Sequence, residues 1–221
     1  MPVTPQSEER KEAVSPMPGK PATGRSLIQQ VFIGDSANLF EAIDLLKHED
    51  AAVRTGAARL IEQTAAIYPK RVAPWIAEML PALDAPEAQT RWTILHVLGL
   101  CAAQNSAAAL QALPKAQQFI SERSGMTLWN ATIVFLGYVG VTSAENARQA
   151  LPLLSQALTE IPILTKAILE SCLRLINVAD DDSLAEIARM TEAYAHSDLP
   201  GVRAVVAKIQ NHLLIRQQSG L

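Results

Sequence analysis

The sequence predicts an all-α fold, a right-handed α-solenoid built from about five helix pairs with an N-terminal capping helix. Its main support is a stretch at residues 50 to 65 that returns at a near-constant interval. Arg54, Arg91, Asn130, Lys166 and Arg203 head successive copies, spaced 37, 39, 36 and 37 residues apart, the period range of two-helix repeats. Each interval holds two runs with apolar residues at helical spacing. The composition agrees: 221 residues, 49% apolar and 19% charged, suffice for one folded unit with a substantial core.

Residues 1 to 24 carry Pro2, Pro5, Pro16, Pro18 and Pro21 without hydrophobic periodicity, so a flexible arm is expected there. From Arg25 to Ile33 the spacing of Leu27, Ile28, Val31 and Phe32 predicts one amphipathic helix, which would cover the open end of the first repeat. The repeat domain is expected over 25–216, with a short polar tail at 217–221.

Repeat one is predicted from Ala37 to Tyr68, turning at His48, Glu49 and Asp50. Repeat two has a first helix over about 70–83 and a second from Pro86, entered through Asp84 as N-cap with Glu87 three residues later. Repeat three pairs Ser106 to about Ser121 with Thr127 to about Val139, and Gly140 is expected as a C-cap. Repeat four opens on a capping box from Thr142 to Glu145 and turns at Pro162. Repeat five opens on a capping box that runs through Asp180, Asp181, Asp182 and Ser183 to Glu186, and its second helix is predicted to begin at Pro200.

With Asp50, Val53, Arg54, Ala57, Ala58 and Ile61 in this order, and Val202, Arg203, Val206 and Ala207 repeating the pattern, the chain resembles the HEAT-repeat family over about residues 37 to 215. Pro74, Pro114 and Pro152 inside the first helices, 40 and 38 residues apart, fit the same family. So do Asp50, Asp84, Glu122, Glu160 and Asp198, each shortly before a position of the Arg54 series. The resemblance implies a ladder of arginine and aspartate along the inter-repeat turns, and so a structural role for Arg54, Arg91 and Arg203.

A second helix that buries one face on its own partner and another on neighbouring repeats keeps one stripe for the concave side. Counting one, five and eight residues on from the Arg54 series, that stripe is polar at the ends: Thr55, Arg59 and Glu62, then Ala204, Lys208 and Asn211. Repeat four gives Ala167, Ser171 and Arg174. In the middle it becomes Trp92, His96 and Gly99, then Ala131, Phe135 and Tyr138. The expectation is a groove in which Trp92, His96, Phe135 and Tyr138 anchor an extended peptide or helix of a protein partner, oriented by Arg59, Arg174 and Lys208. The competing arrangement packs these rings into the core.

The 19 Lys and Arg against 22 Asp and Glu argue against general attraction to nucleic acid or an anionic membrane. The N-terminus lacks a basic segment followed by an apolar one, so no secretory signal is expected. The apolar run from Ala131 to Val141 is too short to span a bilayer, and a cytoplasmic protein is the expectation. Cys101 and Cys172 suit buried thiols in a reducing compartment.

His48, His96, His196 and His212 are scattered without metal-ligand spacing, and no cofactor or catalytic residue is nominated. The chief enzymatic alternative is a HEAT-like alkylpurine DNA glycosylase, suggested by Trp92 and Trp129 on central helices. Few cations on the stripe and no acid on it in repeats two to four weigh against that. A third alternative is an assembly subunit of a larger complex.

Overall fold

The computed structural model describes residues 36–122 and 124–219. The expected arm at 1–24 and the capping helix at 25–33 lie outside them. Among the described residues the chain forms five consecutive helix pairs. The first joins α1 (Ser36–Leu45) to α2 (Ala51–Ile67). In the second, α3 (Pro69–Val72), α4 (Ile76–Met79) and two 3₁₀ segments precede α5 (Ala88–Cys101). The third pairs α6 (Ser106–Leu110) and α7 (Leu113–Ser121) with α8 (Met126–Gly140). Then come α9 (Ala144–Glu160) with α10 (Thr165–Leu175), and α11 (Asp181–Glu192) with α12 (Pro200–Ser219).

Polar side chains start these helices where the sequence supplies them. Asp50 accepts from the Ala52 N–H at 2.7 Å, and Asp180 accepts from that of Ser183 at 2.9 Å. Asn105 accepts from Ala108 at 3.2 Å while its amide donates to the Ala73 carbonyl at 3.0 Å, tying the third pair to the second.

Three local expectations are corrected. Asp84 does not cap α5: it closes the 3₁₀ segment Leu80–Asp84, and Glu87 stands at the N-cap position. Ser143, not Thr142, caps α9, accepting from Asn146 at 3.1 Å; the Thr142 hydroxyl donates back to the Val139 carbonyl at 2.6 Å. Gly140 is the last residue of α8 and not a left-handed cap, since among the described residues only Gly125 has a positive φ, at 92°. That residue begins the entry to α8, where glycine alone is free of strain.

The first helices are less regular than expected. Pro74 and Pro81 each lie in a 3₁₀ segment of repeat two, and Pro114 restarts the helix as α7. Proline lacks an N–H and its ring crowds the carbonyl four residues back, so the chain tightens or breaks there. Pro152 is nonetheless held inside α9.

The second helices α2, α5, α8, α10 and α12 stack in order as one layer. Fully buried side chains such as Ile61, Leu98, Ile133 and Leu169 fill it. Glycines let its members approach. A Cβ on Gly99 would stand 3.1 Å from Cδ2 of Tyr138, one on Gly137 3.0 Å from the Ser171 Oγ, and one on Gly140 3.0 Å from Leu175 Cγ and Cδ1. This close stacking places the layer on the concave side.

Among the described residues a single full rung of the expected ladder forms. Arg54 donates through Nε and Nη2 to the two carboxylate oxygens of Glu87 at 2.8 and 2.7 Å. Its Nη1 donates to the carbonyls of His48 and Glu49 at 2.6 and 2.8 Å. The partner is Glu87 and not Asp84, which pairs with Lys115 instead. At the C-terminal end Arg203 keeps only the backward bond, to the Ser197 carbonyl at 2.6 Å. On the opposite side of the stack Arg148 links α9 to Asp180.

Nothing lies within 4 Å of a Cβ placed on Gly56, so Gly56→Ala should gain up to about 1 kcal/mol of helix propensity and raise Tm. Gly140→Ala meets the buried Leu175 and should lower stability by about 1–3 kcal/mol; equal shifts in thermal melts would contradict the packing. The Arg54 guanidinium also holds the Glu87 carboxyl down to about 2, against an ordinary value of 4.5. Below its unfolded pKa the unfolded chain binds the proton more readily, so this contribution is complete above about 4.5 and lost as pH falls towards about 2. Urea titrations of Glu87→Gln should therefore show a flatter loss of stability across that window than wild type.

Candidate functional site

The concave face is built from the outward stripe of α2, α5, α8, α10 and α12. A continuous strip crosses its first four helices. The His96 Nδ1 lies 2.7 Å from a carboxylate oxygen of Glu62 on the preceding helix. The His96 ring is tilted against that of Tyr138 on the next, with centroids 6.5 Å apart. The Arg174 guanidinium stands 5.6 Å from the Tyr138 centroid, over the ring face, where the π quadrupole attracts a cation.

Each member is set there by the layer beneath. Gly99 leaves the hollow that receives the Tyr138 ring, and Gly137 does the same for Ser171, which is buried and donates to the Ile133 carbonyl at 3.1 Å. His96, Tyr138 and Trp92 are half-buried, with Trp92 and the core packed together. Thr55 and Thr90 meet at 3.2 Å between their hydroxyl oxygens, further along the same seam.

Phe135 departs from the expectation. It is fully buried, 0% exposed, and belongs to the core rather than to the groove surface. The stripe five residues after the Arg54 series turns inward in repeats three and four, burying Phe135 and Ser171, while the position eight residues on stays at the surface. Arg59, Arg174 and Lys208 are exposed. The Arg59 guanidinium faces the Gln89 amide, whose oxygen accepts from its Nε at 2.8 Å in the orientation that satisfies both groups.

Glu62, which the sequence places on the stripe but not among the binding residues, joins the site by reaching His96. The signal was available, since Glu62 stands eight residues after Arg54 and His96 five after Arg91, two positions that stacked helices bring together. Trp129 lies outside the strip, donating its indole N–H to the Glu122 carbonyl at 3.0 Å.

The electrostatics of the strip are lopsided. Glu62 is engaged by His96, and Glu170 stands 3.6 Å from Lys166. Arg59, Arg174 and Lys208 stay exposed on the second helices, giving this face a cationic character within a chain of net charge −3.

Two hollows lie elsewhere among the described residues. One of about 230 Å³ lies between the first turn and repeat two, lined by His48, Arg54 and Pro86 among others. Another of about 370 Å³ separates α9 from α11, beside Arg148 and Glu186. Among the described residues no group of three or more metal-ligating side chains assembles, and no helix is long and apolar enough to cross a membrane. Cys101 and Cys172 are buried, and desolvation pushes both thiols up to about 12.

No family model matches the chain, and no curated protein matches it in sequence. Solved structures do resemble it in fold. A computationally designed armadillo repeat protein for modular peptide recognition superposes with a TM-score of 0.66 at 11% identity, over 86% of this chain and 91% of that one. An archaeal HEAT-like repeats protein from Thermococcus onnurineus NA1 gives 0.52 at 14% identity, over 89% and 99%. An engineered protein from a structural genomics consortium gives 0.67 at 12% identity, over 87% and 89%.

The two kinds of stripe position should separate in melts. Phe135→Ala is expected to cost about 3–5 kcal/mol, as an emptied core site does. Arg174→Ala, which removes an exposed cation from a ring face, should cost no more than about 1 kcal/mol. Comparable losses would place the two side chains in the same environment.

Proposed function

We propose that this chain, an α-solenoid of the armadillo and HEAT-like kind, is a non-catalytic interaction scaffold that holds a peptide or helix of a protein partner along its concave face. The observation that carries the reading is the strip from Glu62 through His96 and Tyr138 to Arg174. Half-buried Trp92 and Tyr138 offer large, rigid surfaces with one wet edge, the kind of side chain that dominates binding energy when a partner covers it. The exposed cations Arg59, Arg174 and Lys208 would set register and favour an acidic segment. Repeat architecture supports the mechanism, because each repeat adds one more increment of an extended surface. The designed armadillo protein that shares the fold was made for peptide recognition, which supports a groove of this type as a peptide site.

Affinity purification of the tagged protein, beside a Trp92→Ala, Tyr138→Ala double variant, tests the reading. A protein recovered with wild type should be lost, at least about tenfold, with a variant that still melts cooperatively. Undiminished recovery with the folded variant would move the binding surface to another face. Recovery of nucleic acid would replace the reading outright.

A further inference from the structure

The turns joining first to second helices form one edge of the solenoid, and that edge changes character after the second repeat. Arg54 and Glu87 close the step between repeats one and two. One repeat on, Arg91 takes the place of Arg54, but Met126 takes the place of Glu87. Among the described residues no carboxylate pairs with Arg91. Its guanidinium carbon stands 5.7 Å from the Phe119 ring centroid, and its Nε is buried without a hydrogen-bond partner. A desolvated donor on a cation is costly until an acceptor arrives, and a carboxylate is the strongest.

Beyond Arg91 exposed apolar side chains enter the edge. Met126, Ile163 and Leu199, three or four residues before Asn130, Lys166 and Arg203, stand at the entries to successive second helices, 45%, 71% and 63% exposed. They make a row of large exposed apolar side chains, one per repeat, of the kind partners cover. Repeats four and five abut there, since a Cβ on Gly201 would lie 3.5 Å from the Lys166 Cδ.

We infer that this edge is a second docking surface, separate from the concave strip, for an extended protein segment that carries one carboxylate followed by apolar side chains. The carboxylate supplies at Arg91 what Glu87 supplies at Arg54, and the apolar side chains lie on Met126, Ile163 and Leu199. Stacked helices stand about 8–10 Å apart, and a segment in the extended polyproline II conformation advances about 3.1 Å per residue with three residues per turn, so every third side chain returns to one face at about that spacing. Exposed Glu122, Glu160 and Asp198 border the edge and repel polyanions such as nucleic acid or an acidic bilayer, while a single carboxylate is matched by a single guanidinium.

Fluorescence anisotropy of the full chain with a labelled synthetic peptide tests this. The probe carries one aspartate and three leucines, each at every third position, and is made in both chain directions. One direction should bind saturably. Arg91→Gln should weaken it about tenfold, replacing the probe's aspartate by asparagine should give the same loss, and the two changes together should add nothing further. Ile163→Ser, at a side chain exposed enough to leave folding intact, should weaken it about fivefold. Trp92→Ala should leave it unchanged, which separates this surface from the concave strip. The inference is overturned by absence of saturable binding in both directions, by equal affinity of wild type and Ile163→Ser, or by loss with Trp92→Ala. It is likewise overturned if sedimentation shows the patch covered by a second copy, with a concentration-dependent mass abolished by Ile163→Ser.

Discussion

Where α5, α8 and α10 meet, Gly99, Gly137 and Gly140 leave hollows that receive Tyr138, Ser171 and Leu175 from the next helix. Much else depends on that closeness. It holds the second helices in one layer, and it lays the Tyr138 ring between His96 and Arg174 instead of letting it swing into solvent. The aromatic strip is thus a product of the same contacts that curve the stack. A binding surface of this sort is preorganised, because the helices beneath fix its side chains before any partner arrives.

Periodicity made the architecture legible. Helix pairs, their order and the entries at Asp50, Asp180 and Pro200 could be read directly, since hydrophobic spacing and capping chemistry are local properties. What escaped were consequences of neighbours. Phe135 and Tyr138 are alike in type and lie three residues apart on one helix, yet only the approach of the adjacent helices decides that the first is core and the second half-exposed. Asp84 and Glu87 made a plausible cap and follower, but Arg54 recruits Glu87 and Lys115 recruits Asp84 from other repeats. Gly140 looked like a helix stop, and its role is to make room for Leu175. In each case an inter-repeat contact, invisible within one period, overrode a local rule.

The repeats have also diverged in division of labour. At the N-terminal end charged side chains stitch neighbouring turns, with Arg54 and Glu87 both largely withdrawn from water. Towards the C-terminus the places corresponding to Glu87 are apolar, and cohesion there rests on buried side chains such as Leu169, Leu175 and Ile209. Since each repeat touches mainly its neighbours, such local changes need not disturb the rest. Surface residues could therefore vary along the edge while the inner layer kept its spacing.

The two cysteines acquire a use from where the layer places them. Cys101 lies at the end of α5 and Cys172 within α10, each sealed in the core with a thiol that resists ionisation. A reagent that attacks thiolates meets neither in the closed molecule. Only transient separation of the helices admits it, and the two positions lie in different repeats. Their separate rates of alkylation are thus natural clocks for the breathing of the middle and the C-terminal parts of the stack, present in the chain without any introduced probe.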